Sequence, residues 1–147
     1  MKKIRDLRAE PDREPKTQYA ALPWRAGEAG TEVLLITSRE SGRWVIPKGW
    51  PIKGKGPHRS AEQEAFEESG VRGEPGRRAL GVYHYDKRLK SGRLQHVRVF
   101  VFPLKVLTEA DDWPEKGQRE RAWTTPAQAG QLVDEPELRK LLAGFKP

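Results

Sequence analysis

The sequence of 147 residues contains no cysteine, which excludes disulfide bonds, thiolate chemistry and zinc sites built on cysteine. It also lacks any apolar run long enough to span a membrane. Residues 1–16 carry charges and prolines but no apolar core, so they do not have the pattern of a secretory signal. We therefore expect no membrane contact, a cytoplasmic location by default, and a mobile arm over residues 1–16.

The net charge of +7 favours an anionic partner, either a polyphosphorylated small molecule or a nucleic acid. No helix-turn-helix, zinc-finger or aromatic RNA-binding pattern supports nucleic acid. Basic residues instead flank an acidic stretch described below, which favours the small molecule. Nothing in the sequence indicates an oligomeric state.

Short apolar runs separated by turn residues predict one compact α+β domain over residues 17–147. We expect strands at residues 17–25, 31–39, 79–85 and 94–104, with the last covered on both faces, and extended chain at residues 43–47. Helices are expected to start at Thr125-Pro126 and to run from Asp134 to Ala143. These elements predict a central sheet packed between helices.

The most informative stretch is residues 47–71, where Glu64, Glu67 and Glu68 lie three and four residues apart. This spacing places the three carboxylates on one side of a helix. The helix is expected to start at Gly56-Pro57 or at Ser60, and to end at Gly70.

This arrangement of acids is unfavourable in a helix that serves only as a scaffold. Like charges at these spacings cost about 0.2–0.5 kcal/mol per pair. Glu67 and Glu68 also lie at the negative end of the helix dipole, which costs about 0.3–1 kcal/mol more. A divalent cation would reverse both effects, and oxygen ligands suit Mg²⁺ or Mn²⁺. An exposed acidic helix face is the alternative, but the preceding loop has Lys48, Lys53 and Lys55 and no acid, as a phosphorylated substrate requires.

The stretch resembles the signature box of the Nudix hydrolase family. That box reads Gly, five residues, Glu, seven residues, then Arg-Glu-aliphatic-x-Glu-Glu-x-Gly-aliphatic. Its first Gly falls on Gly49 and its closing run on residues 63–71, with the spacing intact. Lys55 stands at the Glu of the box and Gln63 at its Arg, two positions that in the family help to hold the loop and orient the acids.

The resemblance implies an α/β/α sandwich with a mixed sheet and a phosphoanhydride hydrolase that uses Mg²⁺ or Mn²⁺. It implies that Glu64, Glu67 and Glu68 are catalytic and bind the metal, with the backbone carbonyl of Lys48. In layout the chain is similar to the branch that acts on diphosphoinositol polyphosphates and dinucleoside polyphosphates. Either Glu64 or Glu68 is the expected general base, and either Glu115 or Glu120 an additional ligand or base.

Substrate contacts are expected from five residues, of which four are basic and one is a histidine in a predicted strand: Arg39, Lys48, Lys53, Arg25 and His84. Arg39 and Lys48 flank the loop, and they are the stronger candidates for phosphate contacts. The alternative function is a Nudix-fold module that binds nucleotide, inositol phosphate or RNA without catalysis, an interpretation that the departures at Lys55 and Gln63 keep open.

Overall fold

The computed structural model describes residues 14–147. In that range the strands are β1 (Lys16–Gly27), β2 (Gly30–Thr37), β3 (Trp44–Val45), β4 (Lys48–Gly49), β5 (Val71–Pro75), β6 (Gly81–Arg88), β7 (Leu94–Glu109) and β8 (Arg121–Thr124). The helices are α1 (Pro57–Ser69), α2 (Pro126–Leu132) and α3 (Pro136–Ala143). Residues 1–13 of the predicted arm lie outside the described residues, and Lys16 is already the first residue of β1.

The strands form one mixed sheet of eight strands in the described range. Its centre is the parallel pair β1 and β7, in which residues 16–24 pair with residues 97–105. All other pairs are antiparallel. On its other side β1 pairs with β4 near its start and with β2 near its end, so the short strand β4 is held at the middle of the sheet.

Helices cover both faces of this sheet, as predicted. The side chains of α1 join a core on one face, where Ala61 and Ala65 pack with Phe102 and Leu104. Helices α2 and α3 contribute to the core on the other face, which contains Ala129, Val133, Leu138, Leu142, Val97, Val99 and Val101. Alternate residues of β7 therefore enter different cores, because successive side chains of a strand point to opposite faces. The expected α/β/α sandwich is confirmed.

Helix α1 starts at the first of the two predicted positions. Gly56 is its N-cap residue and Pro57 is the first helical residue, where a missing backbone N–H has no cost. Ser60 is not a cap, since its hydroxyl accepts a hydrogen bond from the amide of Ile52. Gly70 ends the helix with a φ of 79°, a left-handed conformation that glycine adopts without strain.

The other predicted elements differ from the structure mainly at their ends. The strand predicted to end at residue 104 continues to Glu109, and α3 begins at Pro136 with Glu135 as its N-cap. Thr125 caps α2 as predicted, and it forms a capping box with Gln128. Strands β5 and β8 were not expected from the sequence. Within the described range, no helix combines the length and apolar character needed to cross a membrane.

Candidate active site

The acidic face of α1 contacts the start of the loop that precedes the helix. The backbone amide of Lys48 donates a hydrogen bond of 3.3 Å to Oε1 of Glu68. The carboxyl group of Glu64 lies against Gly49, so closely that a Cβ atom added to this glycine would be 2.3 Å from the carboxyl carbon. Because β4 is paired with β1, the central sheet fixes the position of this contact.

The pKa values of two of the three acids are raised, and burial is the main cause. Glu68 is only 7% exposed, and burial raises its pKa to about 8, even though Arg119 and Lys48 act in the opposite direction. Burial and the neighbouring charge of Glu67 also raise the pKa of Glu64. Glu68 is buried without being part of either hydrophobic core, and the sequence likewise predicts that Glu67 and Glu68 supply no core packing.

The third acid, Glu67, is turned toward its own helix. Its Oε2 accepts a 2.8 Å hydrogen bond from the side-chain amide of Gln63, the residue that stands at the arginine of the box. As the side chains lie, no group of three His, Asp or Glu residues within residues 14–147 is arranged to hold a metal ion. The structure thus brings Glu64 and Glu68 together and leaves Glu67 beside them.

The main residue that sequence reasoning missed is Arg119. Its guanidinium lies among the acids, with Nε 2.9 Å from Glu115 Oε1 and Nη2 3.9 Å from Glu68 Oε1. It also donates a hydrogen bond to the carbonyl of Thr37, and its side chain is 10% exposed. A nearly buried arginine with carboxylate partners indicates a positive countercharge within the acidic cluster. The spacing of Glu115 and Arg119 by four residues is the only sequence signal for it.

Of the two alternatives for an additional acid, the structure places Glu115 at the site. The backbone amide of Glu115 donates a hydrogen bond to the carbonyl of Glu67, and the charge of Glu115 raises the pKa of both Glu64 and Glu68. Glu120 is exposed, and its amide is bound to the hydroxyl of Thr37.

Lys48 directs its side chain to the face of the sheet opposite Glu64. Its ammonium lies 5.0 Å from the centroid of the Tyr85 ring. Burial lowers the pKa of Lys48, although the charges of Glu68 and Glu135 oppose this shift. Lys48 therefore joins the acidic cluster, through its backbone amide, to a polar region around Tyr85 and Gln18, whose side chains share a 2.7 Å hydrogen bond.

The other predicted substrate contacts lie at different distances from the acids. Arg39 is close, since its Nε is 3.8 Å from Glu115 Oε1 and its Nη1 donates to Gln118. Lys53 is exposed in the turn before α1. Arg25 is not brought to the cluster, because its guanidinium is engaged by Glu32 and Glu109 and stacks 4.0 Å from the Trp123 ring.

His84 is also not brought to the acidic cluster. Its ring stacks on His96, with centroids 5.5 Å apart, and its Nδ1 lies 3.0 Å from Glu137 Oε1. The hydrogen bond from His84 in turn lowers the pKa of Glu137.

An acidic helix that follows a lysine-rich loop, in an α/β/α sandwich, is the arrangement typical of the Nudix family. The chain matches the NUDIX domain family over residues 16–145. It therefore belongs to the Nudix family.

Curated relatives support this assignment. The chain is 34% identical over 119 residues to Nudix hydrolase 12, mitochondrial, of Arabidopsis thaliana, a match that covers 78% of this chain and 58% of the relative. It is 35% identical over 111 residues to diphosphoinositol polyphosphate phosphohydrolase 3-alpha of Mus musculus, covering 74% of this chain and 63% of the relative. The chain thus spans less than two thirds of the length of these relatives.

Solved structures show the same fold at lower identity. An Ap4A hydrolase from C. elegans aligns with a TM-score of 0.61 and 19% identity, covering 88% of this chain and 95% of that one. A NUDIX hydrolase from Nitrosomonas europaea aligns with a TM-score of 0.66 and 18% identity, covering 88% and 87%. These likenesses confirm the architecture.

Replacing Arg119 by alanine should destabilise the metal-free protein by about 2–3 kcal/mol, since partly buried carboxylates then lose their countercharge. We expect added Mg²⁺ to recover part of this loss, because the cation would compensate the same acids. Urea unfolding in EDTA and in Mg²⁺ measures both effects. The control is Arg59→Ala, which removes an exposed pair with Glu62 and should cost about 0–1 kcal/mol in either buffer. Equal losses with and without Mg²⁺ would show that Arg119 does not balance a metal-binding cluster.

Proposed function

We propose that this protein hydrolyses a phosphoanhydride bond of a polyphosphorylated small molecule in a reaction that depends on a divalent metal ion. The observation that carries the proposal is that Glu64 and Glu68 both contact β4, at the start of the loop that precedes α1. A buried and a half-buried carboxyl with raised pKa values have no favourable role in a scaffold, since burying a charge is unfavourable.

The ligand atoms available at the site are oxygens, which suit a hard divalent cation. Glu64 and Glu68 supply two converging carboxyls, and the backbone carbonyl of Lys48 lies in the residue whose amide already contacts Glu68. Glu67 becomes a third ligand when its side chain leaves Gln63, and Glu115 is the additional acid of this proposal. Carboxylate and carbonyl oxygens favour Mg²⁺ or Mn²⁺ among the divalent ions.

When bound, the ion neutralises the diphosphate and lowers the pKa of water at the site. The residues of the chain have separate tasks in the reaction. Glu64 or Glu68 accepts the proton of the attacking water. Arg39 holds the remaining phosphates by charge-assisted hydrogen bonds, and Lys53 adds a further positive charge at the exposed turn. The side chain of Lys48 is a weaker candidate, because its ammonium lies against the Tyr85 ring on the opposite face of the sheet. Arg25 and His84 are weaker candidates for substrate contacts, because both are engaged elsewhere.

The substrate class proposed is a nucleoside diphosphate linked to a second group, a dinucleoside polyphosphate or a diphosphoinositol polyphosphate. The name of the mouse relative supports the last, and the positive charge of the chain agrees with a ligand that has many phosphates. We also propose a cytoplasmic location, although the names of two Arabidopsis relatives are mitochondrial and chloroplastic.

The test is a panel assay for released phosphate or mononucleotide. Dinucleoside polyphosphates, nucleoside triphosphates and diphosphoinositol polyphosphates are each incubated with the protein in Mg²⁺, in Mn²⁺ and in EDTA. We expect turnover of at least one class in the presence of metal and none in EDTA. Turnover of no class with either metal would contradict the proposal.

A binding module without catalysis is the second candidate, and the hydrogen bond from Gln63 to Glu67 favours it. This bond holds one of the three acids away from the other two. Calorimetry with the same panel of compounds measures binding instead of product release, and so separates the two functions. Tight binding of nucleotide, inositol phosphate or RNA without turnover would identify the module.

A further inference from the structure

A shallow pocket lies on the flank of α1, beside the acidic face. Its volume is about 240 Å³, and it is lined by residues of the loop, of α1 and of β5: Lys55, Arg59, Glu62, Gln63, Phe66, Val71 and Arg72. The pocket and the acidic face have Gln63 in common, since its side-chain amide donates to Glu67. None of the catalytic or substrate-binding residues proposed above lines it.

The charges of this flank pocket are unbalanced. Glu62 is the only acid in its lining, and Arg59 already pairs with it at 2.8 Å. Among residues 14–147, neither the Lys55 ammonium nor the Arg72 guanidinium makes an ion pair. Two uncompensated positive charges therefore face one concave surface.

Arg72 is held in place without a carboxylate. Its guanidinium carbon lies 3.7 Å from the centroid of the Phe66 ring, in a cation–π contact that leaves the N–H groups at its edge available. A guanidinium held by stacking loses less conformational freedom when it binds an anion, and its planar fork matches the oxygens of a phosphate.

The charge of the pocket follows from the two departures from the family's box. The residues of the box, a glutamate at position 55 and an arginine at position 63, would place a negative and a positive charge together. Here Lys55 and Gln63 replace that pair by a cation and a neutral amide that can donate hydrogen bonds. The exchange removes a negative charge from the pocket that Arg59 and Arg72 line, so Glu62 is the only acid left in the lining.

We propose that the flank pocket binds a phosphate group through Lys55, Arg72 and Arg59. The group is either a distal phosphate of the substrate or a free phosphate anion. Binding of the anion does not require that the protein be a hydrolase, whereas its assignment to the substrate rests on the proposed function.

Binding of inorganic phosphate to the full chain in EDTA tests the site directly. When phosphate is added in steps, the amide chemical shifts of Gln63, Phe66 and Arg72 should change and then saturate. Lys55→Glu, which restores the residue of the box, should weaken this binding by about tenfold or more, since a charge-assisted hydrogen bond is lost and a repulsive charge is added. Arg72→Gln should have a similar effect, and higher salt should weaken binding by the wild type.

The matched control is Lys105→Glu, which makes the same change at an exposed lysine of β7. This control should bind phosphate as the wild type does. Absence of shifts at the pocket, or equal weakening by Lys55→Glu and Lys105→Glu, would overturn the proposal. Because metal and substrate are absent, this result does not depend on catalysis.

Kinetics then distinguish the two sources of the phosphate group. If the group belongs to the substrate, Lys55→Glu should raise KM about tenfold and leave kcat nearly unchanged. If phosphate binding is lost but KM does not change, the pocket is a separate anion site. Both outcomes require the loss of phosphate binding in the first experiment.

Discussion

Glutamine in place of Glu68 is expected to lower turnover by more than about 100-fold while the protein remains folded. Mutation of a residue that only supports a metal ligand already costs about 10–100-fold, and Glu68 is itself the most buried proposed ligand. Glutamine preserves the shape of the side chain and can still accept the amide hydrogen bond of Lys48. It removes the negative charge that would hold the cation.

Steady-state kinetics with metal, together with circular dichroism, measure this effect. Glu67→Gln should also lower turnover by orders of magnitude, because its carboxylate is the proposed third ligand. Glu74→Gln, an exposed acid of β5, is the matched control and should retain full activity. Wild-type turnover in both the Glu67 and the Glu68 variants would remove these residues from the mechanism.

Replacement of Gly49 by alanine should abolish most of the activity at little cost in stability. The new methyl group would lie 2.3 Å from the carboxyl carbon of Glu64, a separation at which one group must move. The carboxyl end of Glu64 is the more flexible, so it is expected to swing away from Glu68. The loss of function would therefore arise from displacement of a ligand while the ligand itself is unchanged.

The measurement compares kcat/KM with the midpoint of thermal unfolding. We expect a fall in kcat/KM of about tenfold to 100-fold, similar to the loss of a residue that orients a metal ligand. A control is Gly30→Ala, a turn position with open space around it, where the φ of 129° strains any other residue. That variant should lose stability and retain activity in the folded fraction. Full activity of Gly49→Ala would show that the position of Glu64 is not critical.

The local features of α1 could be predicted because the sequence encodes them within a few residues. Pro57 and Gly70 mark its ends, and the spacing of the three acids places them on one face. The apolar residues at alternate positions of β7 likewise predict that both faces of this strand are covered, because successive side chains point to opposite sides of the sheet.

The countercharge at the site could not be predicted, because it depends on contacts between distant segments. Arg119 reaches Glu68 only because the chain before β8 turns back along α1, where the amide of Glu115 binds the carbonyl of Glu67. Strand β8 is short and half-buried throughout, so its pattern indicates no particular face. The turn of Glu67 toward Gln63 is a choice between side-chain rotamers that spacing alone does not determine.

The parallel pairing of β1 with β7 has a consequence for synthesis of the protein. The two partners are separated by about eighty residues along the chain. At about 5–20 residues per second, a ribosome needs roughly 4–16 seconds to deliver the second strand after the first. During that interval the apolar segment at residues 20–22 has no partner strand on one edge, and an unpaired apolar edge is a site at which chains can aggregate.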